Sequence, residues 1–220
     1  MRPRLLDLFC CEGGAGEGYR LSGFDVTGVD IVARDYHPGQ FVEADALAYL
    51  REHGHEYDAV HASPPCQRYT NGGNSARVRE QAERPDLVGP VRELLVELGR
   101  PWAIENVPGA PLRRDVLLCG SMFGLSVRRH RVFELGGGAV LAEMLPPCDH
   151  SQPVAGVYGH PHGKAGAWPG MLPSTVAQWR ESMGMPWASA KGLAEAIPPA
   201  YTEIIGRALM RAVLDSGGAS

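Results

Sequence analysis

A cysteine at the end of an apolar segment is the first residue in this sequence that is suited to chemistry. Residues 58–62 favour a buried strand, and the Ser63-Pro64-Pro65 that follows cannot continue a strand ladder, because proline has no amide hydrogen. Cys66 is therefore predicted at the carboxyl edge of a sheet, where open α/β sheets bind ligands. A buried or incidental cysteine would fit the same pattern, so the neighbouring elements decide its role.

A pair of polar residues ends another predicted strand. Residues 101–107 are apolar up to Glu105 and Asn106, and a proline and a glycine follow. An exposed, idle glutamate would fit this pattern. A polar pair at the same sheet edge as Cys66 is nevertheless a candidate for a functional site.

Two stretches of the sequence are cationic on balance. Residues 113–131 contain five arginines and one acid, a patch typical of a surface that docks phosphates. Residues 68–86 form a long polar segment with four arginines against two glutamates and no steady apolar period. A loop of this length in a compact chain is usually functional or mobile.

A glycine-rich turn follows the first predicted strand, residues 5–9. It runs from Cys10 to Gly18, and residues 19–21 are suited to begin a short helix. Such a turn either holds a ligand against bare backbone or lets a helix pack close to a sheet. The predicted strand 25–30 ends in Asp30, where a carboxylate accepts hydrogen bonds from the ribose of a nucleotide-type cofactor.

Asp45 ends a third predicted strand, residues 41–45, and precedes a predicted helix that begins at Ala46. Its carboxylate is suited either to accept a hydrogen bond from an adenine amino group or to cap that helix. Further helices are predicted at residues 87–98 and 175–183 and after the Pro198-Pro199 pair, and another strand at 132–135. This alternation indicates an α/β fold.

Composition limits the class of protein. The chain has 220 residues, of which 44% are hydrophobic and 21% charged, enough for one sizeable core but not for two full domains. A net charge of -4 argues against a protein that coats nucleic acid by bulk electrostatics. Five irregularly spaced cysteines indicate no disulfide framework, so we expect a reducing, cytoplasmic setting. We also expect neither a signal peptide nor a membrane span.

Residues 136–173 differ in character from the rest, with three successive glycines and several prolines. The pairs Cys148-x-His150 and His160-x-His162 contain residue types that bind zinc, but their spacing matches no tight zinc template. We therefore expect scattered loop residues here and no metal.

Taken in chain order, several motifs resemble those of the cytosine-5 DNA methyltransferase family, which uses S-adenosylmethionine. They are DLFCCEGGAGEGY, the two acids Asp30 and Asp45, SPPCQ, ENV, RRHRVF and AEAIPPAYTEIIG. The resemblance implies a Rossmann-like methyltransferase fold, with a mixed, mostly parallel sheet flanked by helices. It further implies a catalytic core at 1–135, a reduced target-recognition region at 136–174 and C-terminal helices at 175–220 that return to the core.

The resemblance also implies a chemistry. Cys66 would add as a thiolate to carbon 6 of cytosine, so that carbon 5 can take the methyl group. Glu105, protonated or sharing a proton, would contact ring nitrogen 3 and the amino group. Arg131 would reach the carbonyl oxygen of the base, and Arg129 would support the loop or a phosphate. The residues expected near the base are Ser63, Pro64, Gln67, Arg68 and Asn106.

By the same resemblance, S-adenosylmethionine would lie across the sheet edge. Phe9 would face its adenine, Gly13 and Gly14 its methionine end, Asp30 its ribose and Asp45 its adenine. Further cofactor contacts are expected from Asp7, Cys10, Cys11, Ile31, Ala46, Pro65, Glu195 and Ala196.

The implied substrate is double-stranded DNA from which the cytosine is flipped out, with residues 68–86 closing as a lid. No membrane and no obligate protein partner are implied, and the expected location is the cytoplasm of a bacterial or phage-infected cell. Three positions depart from the family pattern: Cys11 replaces a glycine, Val127 a glutamine and Glu195 an asparagine.

Three alternatives stay open. The same chemistry could act on a cytosine nucleotide or single-stranded nucleic acid, since only about forty residues stand where the family reads its target sequence. A binding protein with this fold and no turnover would not need Cys66, Glu105 and Arg131 together. A nicotinamide-dependent oxidoreductase would fit the glycine-rich turn but leave SPPCQ unexplained.

Overall fold

A seven-stranded sheet lies at the centre of the protein. The computed structural model describes residues 1–34, 37–69, 83–157 and 170–217. Within them the strands are β1 (Arg4–Leu8), β2 (Asp25–Asp30), β3 (Gln40–Glu43), β4 (Ala59–Ala62), β5 (Trp102–Asn106), β6 (Val116–Leu118) and β7 (Arg131–Gly136). Their order in the sheet is β3-β2-β1-β4-β5-β7-β6, and β7 alone runs opposite to the other six. The predicted α/β fold with a mixed, mostly parallel sheet is confirmed.

Helices cover both faces of this sheet, as a mostly parallel sheet requires. On β1, Leu5 belongs to the core under α1 and α6, whereas Leu6 and Leu8 belong to the core under α2 and α3. The two cores therefore alternate along the strand with a period of two residues. The helices are α1 (Gly14–Leu21), α2 (Ala46–His53), α3 (Val88–Leu98), α4 (Val176–Met183), α5 (Ala190–Glu195) and α6 (Pro199–Gly217).

Helix α1 begins inside the glycine run, earlier than the predicted start at Tyr19. A Cβ atom on Gly18 would lie 2.1 Å from the carbonyl oxygen of Pro199, and one on Gly14 would lie 2.5 Å from that of Ile197. These two glycines therefore allow α1 to pack directly on the start of α6. The prediction was wrong because it treated the glycines as a turn rather than as a helix contact.

The described part of the segment after β7, residues 137–157 and 170–174, contains little regular structure. Its two short strands, β8 (Val154–Ala155) and β9 (Met171–Leu172), pair in parallel. Helix α4 begins with a capping box between Thr175 and Gln178, close to its predicted start. Helix α5 was not predicted. A third core joins this segment to α4 and α5 through Val127, Val157, Trp179, Met183, Met185 and Leu193.

No helix in the described ranges combines the length and the apolar character that crossing a bilayer demands.

Candidate active site

Three strand ends meet at one edge of the sheet. Strands β4 and β5 are parallel with Ala62 opposite Ile104, so the residues that follow them leave the sheet side by side. Strand β7 is antiparallel, and its first residue, Arg131, therefore lies at the same edge as the end of β5. The Arg131 Nε atom is 2.8 Å from Glu105 Oε1, and both side chains are almost fully buried.

Cys66 begins a short 3-10 turn directly after the proline pair and is partly buried. Burial raises the pKa of its thiol above the ordinary value, Arg131 and Arg129 oppose this, and Glu105 adds to it. The parallel pairing of β4 with β5 and the 2.8 Å hydrogen bond from Asn106 to the Pro64 carbonyl oxygen place the Cys66 loop beside the end of β5, where Glu105 pairs with Arg131. The structure thus brings together the three residues that the sequence assigned to chemistry.

Glu105 lies at the buried end of β5. Burial raises the pKa of its carboxyl group, while Arg131, a hydrogen bond from Ser63 and Arg129 lower it, and the net direction is upward. Glu105 therefore keeps a proton to higher pH than an exposed glutamate does. This property suits a group that both donates and accepts hydrogen bonds.

A buried row of polar side chains continues from Glu105 beneath α1, and the sequence analysis missed it. Tyr19 Oη lies 2.8 Å from His61 Nδ1, and His61 Nε2 lies 2.7 Å from Ser63 Oγ. Burial lowers the pKa of His61 to about 3, so the ring is neutral. The signal was a histidine inside the otherwise apolar strand AVHA.

Asp7 lies opposite His61 across β1 and β4 and is completely buried. Neither of its carboxyl oxygens has a hydrogen-bond partner of ordinary geometry among the described residues. Burial raises the pKa of Asp7 to about 8, against the opposing effect of the Gly16 amide, and the charges of Asp30 and Glu105 raise it further. Its side chain lies under α1, away from any surface where a cofactor could touch it.

Asn106 joins the two loops that carry Cys66 and Glu105. Its Nδ2 atom donates to the Pro64 carbonyl oxygen at 2.8 Å, and its Oδ1 atom accepts from the Val107 amide at 2.9 Å. Asn106 is buried, as is Pro64, whereas Pro65 is exposed. The expected substrate residues Asn106 and Pro64 therefore position the cysteine loop.

The predicted lid, residues 68–86, lies partly outside the described residues. At its two ends, Arg68 donates to the Arg84 carbonyl oxygen and the Tyr69 hydroxyl donates to Asp86. Both Gln67 and Arg68 are exposed. These two hydrogen bonds therefore join the described ends of the predicted lid to each other.

The five arginines between residues 113 and 131 do not form one cationic patch. Arg129 is fully buried and donates to the carbonyl oxygens of Val157 (2.7 Å), Ala194 (3.2 Å) and Ala196. A guanidinium without exposed surface has no access to a phosphate, so of the two expected roles only support of a loop fits the structure. The other four are divided among different partners: Arg113 with Asp115, Arg114 with Pro108, Arg128 with His150 and Arg131 with Glu105.

The carboxylate of Asp30 closes the glycine-rich turn. It accepts from the Cys11 amide at 2.9 Å and from the Val32 amide at 3.1 Å. Phe9 and Cys11 adopt positive φ angles of 60° and 49°, a conformation that side chains other than glycine rarely take. Such strain is usually retained at functional sites.

The C-terminal segment lies over the same turn. Glu195 Oε2 is 3.5 Å from Cys11 Sγ and 3.9 Å from Arg34 Nη1. Beneath them, the buried carboxylate of Glu12 accepts from the backbone amide and the hydroxyl of Ser189 at 2.7 and 2.6 Å. Sequence reasoning gave Glu12 no role, although it holds α5, and with it Glu195 and Ala196, against the glycine-rich turn.

The remaining cofactor candidates are divided between surface and interior. Asp45 caps α2 through a 2.8 Å hydrogen bond from the Ala48 amide, so of its two predicted roles the structure shows the helix cap. Cys10 and Ala46 are buried, whereas Ile31 is 68% exposed. An exposed isoleucine directly after the Asp30 carboxylate provides the apolar and polar surfaces that a nucleoside-type cofactor needs. Gly13 and Gly14 themselves are buried, Gly13 against His37 and Pro38 and Gly14 against Ile197. The residues at this edge therefore fit S-adenosylmethionine.

Comparison by sequence identifies one methyltransferase. No protein-family model matches the chain. The type II methyltransferase M.AgeI of Thalassovita gelatinovora is 28% identical over an alignment of 160 residues that covers 64% of this chain and 31% of that protein. The chain spans about a third of the length of this curated relative.

Comparison of structures identifies the fold. A structure described as a prophage-encoded DNA modification methyltransferase of E. coli gives a TM-score of 0.60 at 14% identity, covering 96% of this chain and 99% of the other. The Entamoeba histolytica methyltransferase EhMeth gives 0.58 at 12% identity, with 98% and 99% covered. The S. pombe Dnmt2 methyltransferase gives 0.57 at 14%, with both chains fully covered. The protein has the fold of these methyltransferases and, in the order of its motifs, resembles the cytosine-5 DNA methyltransferase family.

Proposed function

We propose that this protein transfers a methyl group from S-adenosylmethionine to carbon 5 of cytosine in DNA. The observation that carries the proposal is the position of Cys66 beside the buried pair of Glu105 and Arg131. A thiol alone at a strand end has many explanations. A thiol beside a carboxyl group of raised pKa and a guanidinium is suited to attack a ring and to stabilise the charge that follows.

Cys66 acts as the nucleophile. Its thiolate adds to carbon 6 of the cytosine, and the electron pair of the 5,6 double bond moves toward carbon 5, where the methyl group is taken up. Glu105 in its protonated form hydrogen-bonds ring nitrogen 3, so that the negative charge on the pyrimidine is spread. A water molecule then accepts the carbon 5 proton, the electron pair of that C–H bond restores the 5,6 double bond, and Cys66 leaves as the thiolate.

Arg131 holds Glu105 and faces the base. Its guanidinium lies at ion-pair distance from Glu105 and lowers the pKa of Cys66 against the effect of burial. The same positive charge favours the thiolate and stabilises the carbonyl oxygen of a bound base. Arg129 contributes from the interior, by fixing the loop that precedes β7 to the C-terminal segment.

The cofactor lies on the other side of the sheet edge. S-adenosylmethionine supplies an electrophilic methyl group bound to a sulfonium. Asp30 would accept from the ribose, and the backbone around Gly13 and Gly14 would face the methionine end. The exposed Ile31 would lie against the adenine, and Glu195, at 3.9 Å from Arg34, would border the site.

Trapping with a fluorinated base tests the reaction. A duplex that contains 5-fluorocytosine should form a denaturation-resistant adduct that requires S-adenosylmethionine, since fluorine at carbon 5 cannot leave as a proton. The Cys66→Ser variant should form none, while the unmodified duplex should be methylated without trapping. Absence of an adduct with the folded wild-type protein on duplex, single strand and nucleotide would refute the covalent mechanism. An adduct only with single strand or nucleotide would replace the proposed substrate.

Calorimetry tests the cofactor site. Asp30→Ala should weaken S-adenosylmethionine binding by roughly 10-fold to 100-fold, because hydrogen bonds to a charged group contribute about 1.5–3 kcal/mol. Asp25→Ala is the matched control, since Asp25 is exposed at the other end of β2. Equal affinities for both variants would contradict the placement. Asp30→Asn, which keeps the size of the side chain, separates loss of charge from collapse of the turn.

A further inference from the structure

Four side chains with metal-binding atoms converge beyond the sheet edge. Cys119 follows β6, His130 precedes β7, and Cys148 and His150 belong to the irregular segment after β7. Their sulfur and nitrogen atoms all lie within 4.8 Å of one another. Cys119 Sγ is 3.4 Å from His150 Nε2, and Cys148 Sγ is 3.7 Å from His130 Nε2.

These separations match the edges of a zinc tetrahedron. With Zn–S near 2.3 Å and Zn–N near 2.0–2.1 Å, tetrahedral geometry places a sulfur and a nitrogen ligand about 3.5–3.6 Å apart. The two observed sulfur–nitrogen distances bracket this value. Two thiols and two imidazoles form the Cys₂His₂ set that favours Zn²⁺ over the harder Mg²⁺ and Ca²⁺.

We propose that Cys119, His130, Cys148 and His150 bind one zinc ion. Four protein ligands complete the tetrahedron and leave no position for water or substrate, so the site is structural. Both thiols lose their protons when the ion binds, and both imidazoles bind in the neutral form. The proposal concerns a site separate from Cys66 and holds whether or not the protein methylates DNA.

Neighbouring groups orient the ligands. Ser121 Oγ donates to Cys119 Sγ at 3.5 Å and accepts from the Asp149 amide at 3.0 Å. Arg128 Nη2 donates to the His150 carbonyl oxygen at 2.8 Å. These contacts tie the loop that carries the last two ligands to the loops around β6 and β7. Such supporting hydrogen bonds commonly hold metal ligands in place.

The zinc site would attach the irregular segment after β7 to the sheet edge that carries Glu105 and Arg131. His130 directly precedes Arg131, whose backbone starts β7 and whose side chain pairs with Glu105. A zinc ion bound to His130 therefore fixes the point from which Arg131 extends. Residues between β7 and Cys148 form no strand or helix, and the ion supplies the constraint that regular structure does not.

The sequence pattern alone did not reveal this site. The four ligands are separated by ten, seventeen and one intervening residues, and two of them lie at the ends of neighbouring strands. Cys148 and His150 were considered as ligands, but together with His160 and His162, which lie outside the described residues. The antiparallel pairing of β6 with β7 places Cys119 and His130 close to Cys148 and His150.

Metal analysis of the full chain tests the proposal. Protein purified without a metal-binding tag should contain close to one zinc per chain by mass spectrometry. Cys148→Ser and His150→Ala should each lose most of it. Cys66→Ser and His55→Ala are the matched controls, because Cys66 lies at the other site and His55 is an exposed surface residue. Both controls should keep the ion.

Cobalt gives a second readout that does not depend on variants that fold. Wild-type protein stripped of metal and loaded with Co²⁺ should show the intense visible absorption of tetrahedral cobalt and a thiolate charge-transfer band in the near ultraviolet. A strong chelator should lower the melting temperature of the wild type by several degrees and leave that of Cys148→Ser unchanged. Wild-type protein that binds neither zinc nor cobalt stoichiometrically would overturn the proposal. So would an ion that Cys66→Ser loses and Cys148→Ser keeps.

Discussion

The sheet edge and the segment after β7 hold their chemical groups together by different means. At the edge, Ser63 and Glu105 are neighbours because β4 and β5 pair in parallel register. In the segment from Gly137 to His150 no strand or helix sets positions, and the ligands Cys148 and His150 are placed by side-chain contacts alone. A site built on backbone pairing tolerates the loss of one side chain better than a site built on side chains does.

Arg131 is the residue at which the two regions meet, and its removal should have the largest effect. Arg131→Ala should reduce methyl transfer by roughly 100-fold to 1,000-fold, because it deletes one preorganised donor at a site of developing charge. Arg113→Ala is the control, since the Arg113–Asp115 pair is similarly short, at 2.7 Å against 2.8 Å, but the Arg113 side chain is 60% exposed. Single-turnover rates measure the difference. Equal losses of methyl-transfer rate in both variants would mean that Arg131 contributes no more to the reaction than Arg113 does.

Asp7 tests whether a buried negative charge opposite His61 lowers the stability of the folded protein. The pKa of Asp7 is about 8 in the folded protein, above its ordinary value of 3.8, so the folded state binds the proton more tightly than the unfolded state. The stabilisation of the folded state by this bound proton is fully present below about pH 4 and is lost as the pH rises through about 8. Asp7→Asn has no such proton to lose and should gain a few kcal/mol over the wild type between pH 5 and 8, at about 1.4 kcal/mol per pKa unit.

Asp115 provides the control of opposite sign. Burial tends to raise the pKa of Asp115, but hydrogen bonds from Arg113 and the Leu135 amide outweigh it, and the pKa is lowered. Its stability contribution is therefore present above the ordinary pKa and lost as pH falls. Asp115→Asn should weaken the protein near neutral pH, where Asp7→Asn strengthens it. Denaturant unfolding across pH measures both, and parallel curves would refute the assignment.

The same contrast explains what the sequence could predict. Cys66, Glu105 and Asp30 were located because each lies at or shortly after the carboxyl end of a short predicted strand, and parallel strands have these ends at one edge. The polar row through His61 and Ser63 depends on which face of β4 is buried under α1, which local pattern does not reveal. Helix α5 has a local N-cap, Ser189, but this residue is held in place by Glu12, which is far away in sequence.

The contact between α1 and α6 behind the edge should respond to a single methyl group. Gly18→Ala places a Cβ atom 2.1 Å from the backbone oxygen of Pro199, which cannot move freely, and should cost about 1–3 kcal/mol. Gly89→Ala is the matched control, since nothing lies within 4 Å of its added Cβ and helix α3 should gain about 0.5–1 kcal/mol. Thermal unfolding should therefore separate the two variants in opposite directions. A shift of both melting temperatures in the same direction would show that α1 can move away from α6 to make room for the methyl group.

Substitution of Cys11 should have the smallest effect on stability. It also separates backbone strain at the sheet edge from metal binding beyond that edge. Its φ angle of 49° favours glycine, so Cys11→Gly removes strain of about 1–2 kcal/mol, while greater freedom of the unfolded chain costs about 0.5–1 kcal/mol. The free energy of unfolding should thus change by less than about 1 kcal/mol. Cys11→Val keeps the positive φ and adds a β-branched side chain, so it should be clearly less stable than Cys11→Gly. Since the proposed zinc ligands lie elsewhere, both variants should keep a full complement of zinc; loss of zinc with Cys11 would place the ion at the glycine-rich turn and remove the distinction between the two regions.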